Sequence, residues 1–199
     1  MEALIQFEGN ILLWIQNCLR SDFLDPIVKF ITHSGDHGYL WIALLVVLLC
    51  IPKTRKAAMI GAVTLILTFI VTNLWLKPMI GRTRPYEVIE GLTRIIGKQS
   101  DRSFPSGHTA NSMAVGVSLW LVSRKYELLG DKKLYFPKWA GWIVLIWSVL
   151  VGLSRLYVGV HYPTDVLGGA IVAVLNTFIV FKIYQKIMFV KKNKKMAKM

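Results

Sequence analysis

The sequence predicts an all-α integral membrane helix bundle, with five clear spans plus an N-terminal helix that lies at the interface or makes a sixth. Three observations predict it. The chain of 199 residues is 54% hydrophobic, with a mean hydropathy of +0.50. Its apolar residues come in runs at 57–76, 107–123, 139–153 and 166–187, with a shorter dense run at 38–51. Those lengths approach the roughly 20 residues that cross a bilayer. The basic residues behind the net charge of +13 collect in short loops and at the C-terminus. Membrane topology places them so, and the pattern argues against a nucleic-acid partner. One domain, 1–199, then uses the whole length.

Taken in order, residues 2–19 alternate Leu4, Ile5, Ile11, Leu12, Ile15 and Leu19 with Glu2, Gln6, Glu8, Gln16 and Asn17. That is an amphipathic helix pattern rather than a clean span. Ser21 and Asp22 punctuate it, and Asp25-Pro26 opens a second apolar piece, Ile27–Ile31, so 1–34 reads as two interfacial helices or a further span. Glu2 and Glu8 stand where a signal peptide would be basic, and no removable leader is expected. His33 precedes the loop Gly35-Asp36-His37-Gly38 and His37 lies within it; without a cluster of cysteines or carboxylates beside them, both read as interfacial histidines. Cys18 and Cys50 fall in apolar helical stretches. They read as small core hydrophobes, with neither a disulfide nor a metal site implied.

The span at Tyr39–Ile51 ends in a basic loop, Pro52–Lys56, and the next span delivers Lys77 and Pro78 at its far end. Residues 77–106 are a long, arginine-rich loop; a segment of that kind is usually functional. The loop 124–138 holds five basic and two acidic residues. In the span 139–153, Trp139 and Trp142 suit an interface while Trp147 suits the bundle interior. The tail 189–199 carries five lysines between Lys191 and Lys198, which anchor topology and favour anionic lipid. By alternation, thirteen Lys/Arg in 52–56, 124–138 and the tail face seven in 77–106 and 154–165. The larger set belongs in the cytoplasm, leaving the smaller on the opposite side.

That opposite side collects three clusters. Lys77-Pro78-Met79-Ile80-Gly81-Arg82-Thr83-Arg84-Pro85 can converge a compact ammonium and a bidentate guanidinium on one anion; its bland alternative is cations snorkelling to headgroups. Ser103-Phe104-Pro105-Ser106-Gly107-His108-Thr109 opens a helix. A turn there exposes backbone N–H groups and the positive end of the dipole, Ser106 adds a hydroxyl, and Gly107 allows close approach. The bland alternative is an ordinary cap beside a buried histidine. Ser154-Arg155-Leu156-Tyr157-Val158-Gly159-Val160-His161-Tyr162-Pro163-Thr164-Asp165 sets an arginine, a histidine and an aspartate between apolar runs. Ionisable groups beside membrane segments are functional candidates, and His161 with Asp165 four residues on suits an orienting pair. Together the clusters describe a phosphate-ester site with a histidine nucleophile and a histidine acid.

The spacing Lys77-x6-Arg84-Pro85, Pro105-Ser106-Gly107-His108 and Ser154-Arg155-x5-His161-x3-Asp165 resembles the three signature motifs of the type 2 phosphatidic acid phosphatase superfamily. Every motif position over 77–165 is filled in order, and the size resembles small bacterial members acting on undecaprenyl diphosphate or phosphatidylglycerol phosphate. The resemblance implies that His161 attacks phosphorus, Asp165 orients it, and His108 protonates the leaving oxygen and then activates water. It implies that Lys77, Arg84, Arg155, Ser106 and the Gly107 N–H hold the phosphoryl oxygens. No cofactor and no metal are implied, since side chains supply the cations. The expected setting is a bacterial cytoplasmic membrane, with the site extracytoplasmic and the C-terminus cytoplasmic. Undecaprenyl diphosphate is the first substrate expected, with phosphatidylglycerol phosphate, phosphatidic acid and lipid A 1-phosphate as alternatives selected by loop 86–102. Vanadate-dependent halide oxidation and a non-enzymatic lipid-binding or transport protein are the competing classes.

Overall fold

A computed structural model describes residues 2–125, 131 and 134–196. Glu127, Lys132, Lys133 and Lys198, which entered the charge reading, lie outside the described residues. The described chain is helical, without strands: α1 Glu2–Cys18, α2 Leu24–Ser34, α3 Tyr39–Cys50, α4 Arg55–Phe69, α5 Lys77–Ile80, α6 Pro85–Val88, α7 Gly107–Lys125, α8 Lys138–Tyr157 and α9 Pro163–Met196. Prolines open α6 and α9, where the missing N–H costs nothing. Between α4 and α5 the helix widens into a π-type turn over Ile70–Leu76.

The bundle is apolar outside and partly polar within. On α8, Ile143, Ile146, Leu150 and Leu153 are exposed, and on α9 Leu167, Ile171, Leu175 and Ile183 are. Thr64, Thr68, Ser112, Ser118, Ser148 and Thr177 are completely buried. An apolar exterior of that extent is what a bilayer requires. Among the described residues, three helical runs are long and apolar enough to cross one: Arg55–Val88, Lys138–Tyr157 and Pro163–Lys194. Leu24–Ser34 with Asp36–Cys50 makes a fourth if the pair, bent by 46°, counts as one broken span.

Length and apolarity alone therefore do not reach the five spans expected from the sequence. The expected span at 38–51 is twelve helical residues joined to α2 across the bend. The other, α7, is the central helix, packed against α4, α8 and α9, and most of it touches protein rather than surroundings. A helix enclosed by neighbours gains from small and hydroxyl residues that let backbones approach. A Cβ on Gly116 would stand 2.2 Å from the Ser148 hydroxyl, and one on Gly141 2.3 Å from that of Ser123. Trp41 donates to Ser112 across 2.8 Å, tying α3 to α7, and Asn176 donates to Thr68 across 3.2 Å, tying α9 to α4.

Three local expectations are corrected or met. Cys18 and Cys50 are free but exposed, not core, because they sit on outward helix faces. Glu8, expected on the wet face of α1, is 1% exposed; it accepts hydrogen bonds from the Thr164 N–H and hydroxyl, both at 2.7 Å, and pairs with Arg82 at 2.6 Å. That carboxylate satisfies donors at the first turn of α9, so α1 is stapled to the bundle. Trp139 is strongly exposed, while Trp147 packs inward and donates to Ser34 at 3.0 Å.

Candidate active site

The three clusters meet at one end of the bundle. Lys77 begins α5, directly after the π-type turn, a distortion often found at functional sites. Gly81 ends that helix at φ +64°, a left-handed stop that glycine adopts freely. Arg84 then lies extended, as a residue before proline must. The ammonium of Lys77 and the guanidinium of Arg84, at 2.5 Å, both pair with the carboxylate of Asp101. An anion bound between these two cations would compete with Asp101 for them. Asp101 belongs to the arginine-rich loop and is half exposed.

Gly107 is explained by room. A Cβ there would stand 3.2 Å from both the Lys77 Nζ and the Asn73 Oδ1, so the absent side chain lets the lysine lie against the start of α7. The Ser106 N–H donates to the Asp165 carbonyl at 2.9 Å, and the Ser106 hydroxyl accepts from Thr109 at 2.9 Å. The Pro-Ser-Gly turn is thereby locked onto α9, where a Cβ on Gly169 would collide with the Ser106 carbonyl at 2.6 Å. Arg155 is fully buried. Its Nη1 donates to Thr32 at 2.6 Å, its Nη2 to Gln99 at 3.3 Å, and its Nε has no partner among the described residues. A buried guanidinium with a spare donor has capacity for an anion.

His161 and Asp165 form the pair that the four-residue spacing predicts: Nδ1 lies 3.3 Å from Oδ2, with both residues buried. The other ring nitrogen, Nε2, lies 3.3 Å from the Arg84 Nη1. A guanidinium can only donate, so Nε2 carries the lone pair and Nδ1 carries the proton facing Asp165. The carboxylate is itself fixed. Ser103 donates to it at 2.5 Å, the Tyr162 N–H at 2.9 Å, and Arg82 to its second oxygen at 2.7 Å. Burial, with Arg84, Arg155 and Lys77 nearby, holds the His161 imidazole well below the ordinary histidine range. Burial would raise the Asp101 carboxyl, but Lys77 and Arg84 outweigh it and hold it at about 2.

His108 stands in the first turn of α7 and lines, with Lys77, Asp101 and Gly107, a cavity of about 380 Å³. All eight residues singled out in the sequence thus lie around one place. Among the described residues no group of three or more His, Cys, Asp or Glu could hold a metal ion. What sequence reading missed are the counter-charges and supports: Asp101, Ser103, Arg82, Glu8 and Asp36. Ser103 and Arg82 stood inside the quoted clusters, where their proximity to motif residues was a usable signal. Glu8, Asp36 and Asp101 arrive from other elements, and no local pattern marks them.

Residues 57–189 match the family model of the PAP2 superfamily. The undecaprenyl-diphosphatase BcrC of Bacillus subtilis is 31% identical over 167 residues, 82% of this chain and 76% of that protein. Phosphatidylglycerophosphatase B of the same organism is 32% identical over 173 residues, 85% and 79% of the two chains. The crystal structure of a transmembrane PAP2 type phosphatidylglycerolphosphate phosphatase from Bacillus subtilis superposes with a TM-score of 0.73 at 28% identity, covering 94% of this chain and 89% of that one.

Proposed function

This chain belongs to the PAP2 superfamily, and on that premise we propose that it releases phosphate from undecaprenyl diphosphate through a phosphohistidine on His161, without a metal. That it is a membrane phosphatase of lipid phosphates follows from its kinship. The finer reading is carried by one observation: the His161 ring stands with Nε2 3.3 Å from the Arg84 guanidinium and Nδ1 3.3 Å from the fixed Asp165 carboxylate.

In this reading the Nε2 lone pair attacks the terminal phosphorus, the bond from that phosphorus to the bridging oxygen breaks, undecaprenyl phosphate leaves, and His108 delivers a proton to the departing oxygen. Asp165 balances the cationic phosphoimidazole. Lys77, Arg84, Arg155, the Ser106 hydroxyl and the Gly107 N–H hold the phosphoryl oxygens as charge spreads in the transition state. Water then attacks phosphorus, His108 takes its proton, and the P–N bond breaks to free phosphate and neutral His161. The charge asymmetry of the loops supports an extracytoplasmic site and a cytoplasmic C-terminus in a bacterial cytoplasmic membrane, with α7 and the bent α2–α3 pair crossing beside the three longer runs. Lys98, at the rim of the cavity, is an additional cation of use to a second phosphate.

Phosphatidylglycerol phosphate is the second reading, favoured by the kinship with phosphatidylglycerophosphatase B. The two separate when purified, detergent-solubilised protein is offered undecaprenyl diphosphate, phosphatidylglycerol phosphate and phosphatidic acid with EDTA present. Fastest release from undecaprenyl diphosphate, unchanged by EDTA, is expected. A faster rate on phosphatidylglycerol phosphate overturns the first substrate, and a strict divalent-metal requirement overturns the metal-free mechanism.

The acid side of the rate profile follows from the His161 environment. Protonated His161 has no lone pair, so kcat/KM falls as pH drops through its free-enzyme pKa. A pKa held well below 6.5 moves that fall to correspondingly lower pH. The profile is read as kcat/KM divided by the fraction of substrate in its dianionic form. An acid-limb midpoint at or above 6.5 contradicts the nucleophile assignment.

A further inference from the structure

The site holds a second histidine–carboxylate contact that no motif contains. His108 Nε2 lies 2.8 Å from Asp36 Oδ1, and the other oxygen of Asp36 lies 2.7 Å from His33 Nδ1. Asp36 and His108 both line the 380 Å³ cavity that takes in Lys77, Asp101 and Gly107. We propose that Asp36 is the positioning residue of the acid–base histidine, so that the site runs on two histidine–aspartate pairs, His161 with Asp165 and His108 with Asp36. The inference rests on the phosphatase reading and assigns the carboxylate that reading leaves without a role.

The turn that carries Asp36 is shaped for this contact. Gly35 has φ −88°, a value any residue adopts, so its conformation does not explain it. Space does: a Cβ would stand 2.8 Å from a Val151 methyl and 3.0 Å from the His108 ring. Immediately after Asp36, His37 at φ +51° and Gly38 at φ +72° turn the chain through two left-handed residues. For His37 that is a strained conformation, and strain of this kind persists where surrounding structure enforces it. The bend between α2 and α3 thus brings a carboxylate to the first turn of α7.

Electrostatics give the carboxylate its task. An acid must be cationic before it gives up its proton, and His108 works among like charges. Lys77 comes to it from α5 and Arg155 from α8, with His161 beyond in the loop before α9. Asp36, backed by His33, is the anion in direct contact with it, while Asp101 is engaged by Lys77 and Arg84. A carboxylate on Nε2 also fixes the ring, leaving Nδ1 to pass the proton.

The test uses leaving groups, because general acid catalysis matters for a poor leaving group and little for a good one. Full-length wild type, Asp36→Asn and Asp36→Glu are compared on phosphatidic acid, whose leaving group is an alkoxide, and on p-nitrophenyl phosphate. Asp36→Asn is expected to lower kcat/KM on phosphatidic acid by about 10²-fold, with kcat/KM on the aryl phosphate changed by less than about threefold, since kcat/KM reports the step in which the leaving group departs and not the water step that both substrates share. The alkaline limb of its kcat/KM profile should move to lower pH, since the imidazolium loses its counter-charge, and Asp36→Glu should recover most of the rate. Equal losses on both substrates, or an unmoved alkaline limb, overturn the proposal. If Asp36→Asn does not fold, Asp36→Glu carries the same comparison with a smaller loss, again unequal between the substrates; an equal loss overturns it. A wild type that releases phosphate from none of the lipids overturns the phosphatase reading and this inference with it. A wild type that does, with an unchanged substrate ratio in the variants, overturns this inference alone.

Discussion

Replacing His161 with Ala is expected to reduce phosphate release by about 10⁴-fold or more, the scale on which hydrolases lose activity when a covalent nucleophile is removed. Among the described residues, nothing else in the site offers a lone pair in the same position. The Nε2 of His161 faces Arg84, whereas Lys77 and Arg84 are engaged by Asp101 as cations. The fold should survive. Asp165 keeps Ser103, the Tyr162 N–H and Arg82 when the imidazole is gone, and the cations proposed to hold the phosphate are untouched. Lipid binding by the variant, measured by equilibrium titration in detergent, should therefore remain while turnover disappears. Activity within about tenfold of wild type sinks the nucleophile assignment.

Asp165→Asn is expected to be nearly as damaging, at about 10³- to 10⁴-fold in kcat, as for an aspartate that sets the tautomer of a catalytic histidine. The reason lies in the donors converging on it. One oxygen accepts from Ser103, the Tyr162 N–H and His161, and the other accepts from Arg82. A carboxamide keeps one acceptor oxygen and turns a donor toward the remaining group, so either Arg82 or the His161 side is opposed. With Asp165 fully buried and Arg82 still paired with Glu8, opposing one of the donors should also cost roughly 1–3 kcal/mol of stability. Thermal unfolding in detergent reads that loss separately from the rate. A folded variant with kcat within about tenfold of wild type shows that His161 needs no orienting carboxylate.

Much of this site was legible because its chemistry is locally spaced. His161 and Asp165 share a turn, Ser106 to His108 share a helix start, and Lys77 and Arg84 share one helix exit, so each cluster announced itself without tertiary information. Convergence could be argued from alternation of spans. The partners could not. Asp101 is an aspartate in a long loop with nothing around it to mark a contact with both Lys77 and Arg84. Asp36 looked like part of a polar turn, and Glu8 like the wet side of an amphipathic helix, until packing put one on His108 and the other on Arg82 and Thr164.

By itself the sequence determined the helical class, the apolar exterior of the bundle and the residue types that can hold and attack a phosphate, because bilayer length, helical periodicity and turn chemistry are written in consecutive residues. The tertiary structure alone decided three things. Central placement of α7 let a helix of small and hydroxyl residues stand where a more apolar span was expected. Packing of α8 and α9 buried Arg155, His161 and Asp165 together. The bend between α2 and α3 set a carboxylate against His108. Each joins groups far apart in the chain, and a buried charge takes whichever counter-charge the fold brings within reach, at no fixed spacing.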